Sequence, residues 1–350
     1  MKILVTGGAG YLGSVLLPKL LARGHQIRVV DIGYFGLGHL RGLDPAAEVI
    51  REDLRTLVAD HNSLSRMLSG IECIIHLAAI SNDPSAELNP ELTHDVNLHV
   101  TEVLAKAAKT AKIRFVFSSS CSVYGDADSE VDESGKQKPL TTYAVTKMKA
   151  EQALFAMADR NWSPVVLRNG TLFGFSPRMR FDLVANIFSL YSTLHNEIKV
   201  FGDGLHWRPF LHVGDAARAL LYFAECEHPA HNCYNIAHEN LRVVDLADIF
   251  KKINPRLKVI QVKTEDQDQR NYRVSTARMV QDGFNTRMSV ISGSEEMVEA
   301  IISGAIPDPE SIYYRNAKWL KELSLLGSKD HREMMNVIET MAHIRSGSKG

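Results

Sequence analysis

The segment Thr6-Gly7-Gly8-Ala9-Gly10-Tyr11-Leu12-Gly13 constrains this chain more than any other. Gly7, Gly10 and Gly13 recur at every third position, after a short apolar run at 3–6 and before an amphipathic stretch at 11–22 that closes at Arg23-Gly24. A strand, a tight glycine turn and a helix in that order aim the helix's unpaired N–H groups at a phosphate, and the missing Cβ atoms let backbone approach a pyrophosphate. Asp31 ends the next apolar run, at 27–31, eighteen residues after Gly13. A carboxylate there accepts both hydroxyls of an adenosine ribose and repels a 2′-phosphate, so the pattern predicts NAD rather than NADP. Gly7, Gly10, Tyr11, Leu12, Gly13 and Asp31 are the predicted centre of a dinucleotide site.

Further apolar runs at 48–50, 73–78, 114–119 and 164–168 alternate with helical stretches, as a doubly wound parallel sheet requires. Such α/β sheets bind ligands outside the carboxyl ends of their strands. After about Leu172 the pattern shifts to shorter pieces, with helices expected at 182–194, 215–225 and 243–253 and strands at 198–201, 210–212 and 258–263. The expected organisation is a Rossmann-like NAD-binding domain at 1–172, joined by later returning segments, and a smaller C-terminal α+β substrate lobe at 173–350. A helix-prone polar stretch from Ser311 is expected to fray at 345–350. With 40 basic and 41 acidic residues the charge is −1, which gives no basic excess for nucleic acid. Cys73, Cys121, Cys226 and Cys233 fall in no metal-ligand spacing, and no apolar run is long enough to span a bilayer. A reduced cytoplasmic chain without metal or membrane anchor is expected.

Asp53-Leu54, past the third strand, is placed to hold the adenine edge. Leu77-Ala78-Ala79 ends the fourth strand in residues small enough for a dinucleotide to lie close, and Asn97 follows on the next helix. His76, inside an apolar strand, reads as a satisfied core histidine. Tyr143 and Lys147 are four residues apart and share one helix face. An ammonium beside a phenol stabilises the phenolate and draws the tyrosine toward proton exchange. Tyr314 and Lys318 repeat the spacing, but no serine-bearing strand end precedes them. Tyr143 does have one: Ser118-Ser119-Ser120 closes a strand 23 residues upstream, and Ser120 can bond the substrate oxygen that Tyr143 protonates or deprotonates.

Taken in order, Thr6 to Gly13, Asp31, His76 to Ala79, Ser118 to Gly125, Tyr143 to Lys147, Leu167-Arg168 with Phe173-Gly174, and Trp207 to Val213 resemble the extended short-chain dehydrogenase/reductases. Within them the chain is similar to the NAD-dependent epimerase/dehydratase group acting on nucleotide sugars, over roughly residues 1–285. The resemblance implies a catalytic set of Ser120, Tyr143 and Lys147, with the lysine also holding the nicotinamide ribose. It implies a homodimer through helices at 91–111 and 143–158. It also implies Arg208 and Arg270 as diphosphate clamps, with Arg178 and Arg180 as further basic candidates; an isolated Arg180 also reads as a surface ion-pair partner. Ser81, Asn82, Ser120, Asn169 and Thr171 complete the expected substrate set, although the family often has asparagine where Thr171 stands.

Similar 4,6-dehydratases carry Asp-Glu where this chain has Cys121-Ser122, so dehydration is disfavoured. Similar decarboxylases carry glutamate at the place of Ser122 and are disfavoured too. Cys121 is one residue from the position of the cysteine base in similar 3,5-epimerases, and on a strand it would point the other way. The expected activity is nucleotide-sugar epimerisation through a transient 4-keto sugar. The alternatives are an NADH-dependent reductase of a keto sugar or other carbonyl compound, and a non-catalytic NAD sensor, against which the intact catalytic set argues.

Overall fold

The computed structural model describes residues 1–43, 45, 47–263 and 270–325; the expected frayed tail lies outside them. Seven strands form one parallel sheet: β1 (Lys2–Thr6), β2 (Gln26–Asp31), β3 (Ala47–Arg51), β4 (Cys73–His76), β5 (Arg114–Ser120), β6 (Val165–Asn169) and β7 (Cys233–Ile236). Their order is β7-β6-β5-β4-β1-β2-β3, so winding reverses between β1 and β4. The strands read as nearly unbroken apolar runs because both sheet faces are covered. Ile3 and Val5 of β1 enter one apolar cluster while Leu4 enters the other, and Cys73 and Ile75 of β4 part from Ile74 in the same way.

The helices of ten or more residues among those described are α1 (Gly13–Ala22), α2 (Val100–Thr110), α3 (Thr142–Met157), α4 (Val184–His195), α5 (Val213–Glu225), α6 (Val243–Ile253), α7 (Val290–Ile302) and α8 (Asn316–Leu325). Leu16, Leu17 and Leu20 of α1 pack with Ala216, Leu220 and Phe223 of α5 on one face. Leu104 and Ala108 of α2 pack with Ala150 and Leu154 of α3 on the other. No helix among the described residues is long and apolar enough to cross a membrane. All four cysteines are free.

Several boundaries differ from the sequence reading for physical reasons. The helix expected from Tyr11 begins at Gly13, because Gly7 to Leu12 is spent on the turn. β4 stops at His76 rather than at residue 78, and the small residues beyond it leave the sheet to line a cavity. The helix expected at 91–111 is interrupted by a π turn, Asp95–His99, before α2. That irregularity buries Asn97, whose Oδ1 accepts from Ile80 N at 2.8 Å and whose Nδ2 donates to Ile80 O at 3.1 Å. β7 escaped the sequence reading: Cys-Tyr-Asn-Ile is too short to signal a strand until it is seen beside β6.

The second half adds small sheets at the carboxyl end of the main one. Thr171–Phe173, Trp207–His212 and Glu239–Arg242 form a three-stranded sheet. Glu197–Phe201 pairs with Lys258–Val262, and Asp126–Val131 with Asn271–Val274, the last pairing setting Arg270 and Tyr272 over the cavity. Phe173, Phe188, Phe210 and Phe250 form the core beneath these pieces.

Under the site, Glu151 of α3 is fully buried and accepts from Arg168 Nη2 of β6 at 2.7 Å, from Arg168 Nε at 3.1 Å, and from the Ser119 hydroxyl. Removing one member of a buried pair strands the other's charge. Glu151→Leu is therefore expected to cost about 3–5 kcal/mol in urea denaturation, with Glu151→Leu/Arg168→Leu recovering much of the loss. A single variant within about 0.5 kcal/mol of wild type, the range of ordinary surface changes, would show that the pair does not carry this junction.

Candidate active site

A cavity of about 1030 Å³ opens at the carboxyl ends of the strands, where β1 and β4 part. Gly7 ends β1 with φ +70°, and a Cβ there would lie 2.6 Å from Ala78 N. A Cβ on Gly13 would fall 2.4 Å from Gly8 O, so the turn closes only with glycine at both places. Gly10, Tyr11 and Leu12 line the cavity beyond it. The Tyr11 phenol is otherwise engaged: it donates to Gly174 O at 2.6 Å and ties the turn to the second half. Asp31 lies at the far side of β2, accepting from Ala9 N at 2.9 Å and Gly33 N at 2.8 Å, while burial pushes its carboxyl above the ordinary value.

Leu54, Leu77, Ala78 and Ala79 line the same region. Asp53 does too, but its carboxylate caps the helix Leu54–Ala59 through Arg55 N at 2.9 Å and pairs with Arg55 Nη2 at 2.6 Å. Asn97 does not line the cavity; its amide holds Ile80 in place as described above. His76 is the satisfied core residue expected: its ring nitrogens meet the hydroxyls of Thr6 at 2.6 Å and Thr101 at 3.0 Å, and burial lowers its pKa to about 3.

Ser120 is the last residue of β5; its Oγ accepts from Ser122 N at 3.1 Å, and the hydroxyl lines the cavity near the Tyr143 phenol, favouring its ionisation. Tyr143 stands in the first turn of α3, which Thr141 caps by accepting from Ala144 N. One turn on, Lys147 is buried, donates to Ser118 O at 2.8 Å and lies 4.6 Å from the Phe117 ring centre. Burial lowers its pKa to about 7, with Glu151 acting in the opposite sense. Tyr143 is pushed up to about 12 by burial and by Asp83, against the bond from Ser120 and the charges of Arg180 and Arg270. The sequence assigned the lowering to Lys147. In this structure that nitrogen is committed to a backbone carbonyl, 6.0 Å from the Tyr143 ring centre, and the two arginines take the part.

Arg180 is no surface residue. It is buried and meets Asp182 with both Nε and Nη2 at 2.9 Å, and Asn82 Nδ2 donates to the same carboxylate. Arg270 Nη1 meets Asp83 at 2.6 Å, and the Thr141 hydroxyl donates to Asp83. Ser81, Asn82, Asn169, Thr171, Arg208 and Arg270 all line the cavity. Asn169 Nδ2 donates to Ser118 Oγ at 3.0 Å, and Arg208 Nη1 to Trp207 O at 2.8 Å. Arg178 lines the cavity too and lies over Phe35, four positions after Asp31, with its guanidinium 3.7 Å from the ring centre. Sequence reasoning missed Asp83, Asp182, Phe35 and Asn316; only Arg180-Phe181-Asp182, with opposite charges two apart, carried a visible signal.

Cys121 belongs to a short 3₁₀ turn, Cys121–Tyr124, rather than to a strand. It is buried, donates its thiol to Arg168 O at 3.1 Å, and burial drives its pKa well above the ordinary value, so it is inert. Ser122 faces the cavity beside it. The Tyr314–Lys318 copy dissolves in the structure: Tyr314 sits in a 3₁₀ turn, donates to Pro307 O at 2.7 Å and packs on Phe181, while Lys318 belongs to α8.

The chain belongs to the NAD-dependent epimerase/dehydratase family of extended short-chain dehydrogenase/reductases, whose model matches residues 3–237. It is 31% identical over 272 residues to YtcB of Bacillus subtilis (strain 168), an uncharacterized UDP-glucose epimerase, covering 73% of this chain and 83% of that one. It is 28% identical over 315 residues to UDP-glucuronic acid decarboxylase 1 of Arabidopsis thaliana, covering 85% and 69%. The solved structure of MoeE5 in complex with UDP-glucuronic acid and NAD matches 87% of this chain and 100% of its own, with a TM-score of 0.74 and 27% identity. The cofactor of this family is NAD, and the cavity fits it: a turn that any Cβ at Gly7 would fill, and a carboxylate at the end of β2.

Lys147 predicts a pH dependence of stability. Between about pH 7 and 10.5 the unfolded chain holds a proton that the folded, NAD-free protein has released, so stability should rise with pH across that window. Tyr143 acts in the opposite sense only above pH 10. The buried thiols of Cys73, Cys121 and Cys233, pushed up by burial, oppose this as pH nears 9, so urea titrations at pH 7 and pH 8 should show a stability change more positive in wild type than in Lys147→Met; equal pH slopes would refute the assignment.

Proposed function

We propose that the protein is an NAD-dependent nucleotide-sugar epimerase that inverts C4 through a transient 4-keto sugar. The observation that carries this reading is the Ser120 hydroxyl beside the Tyr143 phenol, with Lys147 one turn away and no carboxylate at 121–122. NAD held in the cavity would supply an acceptor, and then a donor, for the C4 hydride. Tyr143, as the phenolate, takes the proton from the C4 hydroxyl as the ketone forms, becoming the neutral phenol, and gives it back after the keto sugar has turned its other face. Ser120 bonds the same oxygen and stabilises its developing charge. Lys147, one turn on from the phenol, would hold the cofactor's ribose. Elimination would need an acid and a base at 121–122, where this chain offers a buried thiol and a hydroxyl.

The charges around Tyr143 favour a neutral sugar. Arg180 is matched by Asp182 and Arg270 by Asp83, so a sugar carboxylate near the phenol would arrive beside two carboxylates whose arginines are already engaged. UDP-glucose should therefore be interconverted with UDP-galactose, without added cofactor, in preference to UDP-glucuronic acid. Tyr143→Phe should lower kcat by roughly 10²–10⁴ with substrate binding retained. Stoichiometric NADH consumption would favour the reductase instead, and wild-type turnover in Tyr143→Phe would remove the acid/base role.

The same reading includes a homodimer. α2 and α3 lie side by side on one face of the sheet, available to pair with a second copy in a four-helix bundle. Sedimentation at micromolar concentration should give twice the chain mass of 39.0 kDa, and a monomer would refute it.

A further inference from the structure

Arg178 lies in the irregular stretch between Phe173 and α4, with 2% of its surface exposed. Nη2 donates to Asn316 Oδ1 at 2.6 Å, Nη1 reaches Met179 O at 3.3 Å, and Nε has no partner. The backbone hangs on the glycine turn: Arg178 N donates to Ser176 Oγ at 3.3 Å, and that hydroxyl donates to Tyr11 O at 2.7 Å. Arg178 lines the cavity together with Tyr11, Leu12, Asp31 and Phe35.

No carboxylate is bonded to this guanidinium. Asp31 and Asp182 act on it only through their fields, and both are engaged elsewhere, Asp31 by two backbone amides and Asp182 by Arg180. Burial brings its pKa down to about 10, which leaves it charged at neutral pH. A buried cation without a contact counter-charge is costly unless an anion completes it. Its planar fork suits the paired oxygens of a diphosphate.

We propose that Arg178 is the counter-cation for the pyrophosphate of the dinucleotide, held in position by Phe35 and Asn316. The Tyr11 link and the Phe35 stack set it on the cofactor side of the cavity, whereas Arg180, two residues on, belongs to the group around Tyr143. Asn316 lies beyond residue 237, so the C-terminal segment takes part in a cofactor site whose family model ends earlier. That segment is itself fastened to the loop after β2: Trp319 Nε1 donates to Tyr34 O at 2.7 Å, and the Tyr313 hydroxyl donates to Phe35 O. The inference goes beyond the epimerase reading and holds whichever reaction the protein runs.

The test is a set of titrations on NAD-stripped protein with ADP-ribose, adenosine and UDP. Arg178→Met keeps the stacked stem without the charge. It should weaken ADP-ribose by about 10- to 150-fold, the factor equivalent to a hydrogen bond to a charged group, and change adenosine and UDP by less than about threefold. Arg178→Lys should fall between, since it restores charge without the fork. Should Arg178→Met not fold, Asn316→Ala loosens the guanidinium without removing it and should weaken ADP-ribose more than adenosine. Equal loss of ADP-ribose and adenosine would reduce Arg178 to a structural part. Loss confined to UDP would move it to the substrate's diphosphate, and unchanged ADP-ribose would overturn the proposal outright.

Discussion

The buried pair between Glu151 and Arg168 is the constraint on which the catalytic geometry rests. Glu151 stands two turns after Tyr143 on α3, and its carboxylate takes bonds from β6 through Arg168, from β5 through Ser119, and from Gln137 at 2.6 Å. Charge in a dry interior tolerates little displacement, because lost contacts are not replaced by water. The pair therefore fixes both the distance and the rotation of α3 against the sheet. Tyr143 meets Ser120, and Lys147 meets the Ser118 carbonyl, as consequences of that docking.

From this junction the cavity divides by charge. Around the phenol, each arginine has a carboxylate of its own, which keeps the local field nearly balanced and leaves burial as the leading influence on Tyr143. Toward the glycine turn the balance fails: Asp31 is bound by backbone amides and Arg178 has no bonded anion. A neutral sugar and the doubly negative pyrophosphate of a dinucleotide would complement those two halves.

The fold was largely legible in the sequence, and the reason is local. Strands β1 to β6 and helices α1, α3, α5 and α6 lie close to where apolar periodicity and turn residues set them, since burial on both faces writes itself into consecutive residues. The glycine turn was legible too, because positive φ and close backbone approach leave no other residue type. β7 was not, since four residues derive their strand identity from the neighbour they pair with.

The sequence by itself determined the sheet, the dinucleotide turn, Asp31, and the pairing of a serine-rich strand end with Tyr143 and Lys147, all of which depend on short spacings along one element or two. Tertiary structure alone decided which charges face each other. Arg178 came to lie over Phe35, Arg180 left the surface, Asp53 and Asn97 became anchors of the backbone, and Asp83 and Asp182 joined the site. Asn82 and Asp182 are 100 residues apart and Arg178 and Asn316 138, and electrostatic fields depend on distance through space, which spacings of that length in the chain do not record.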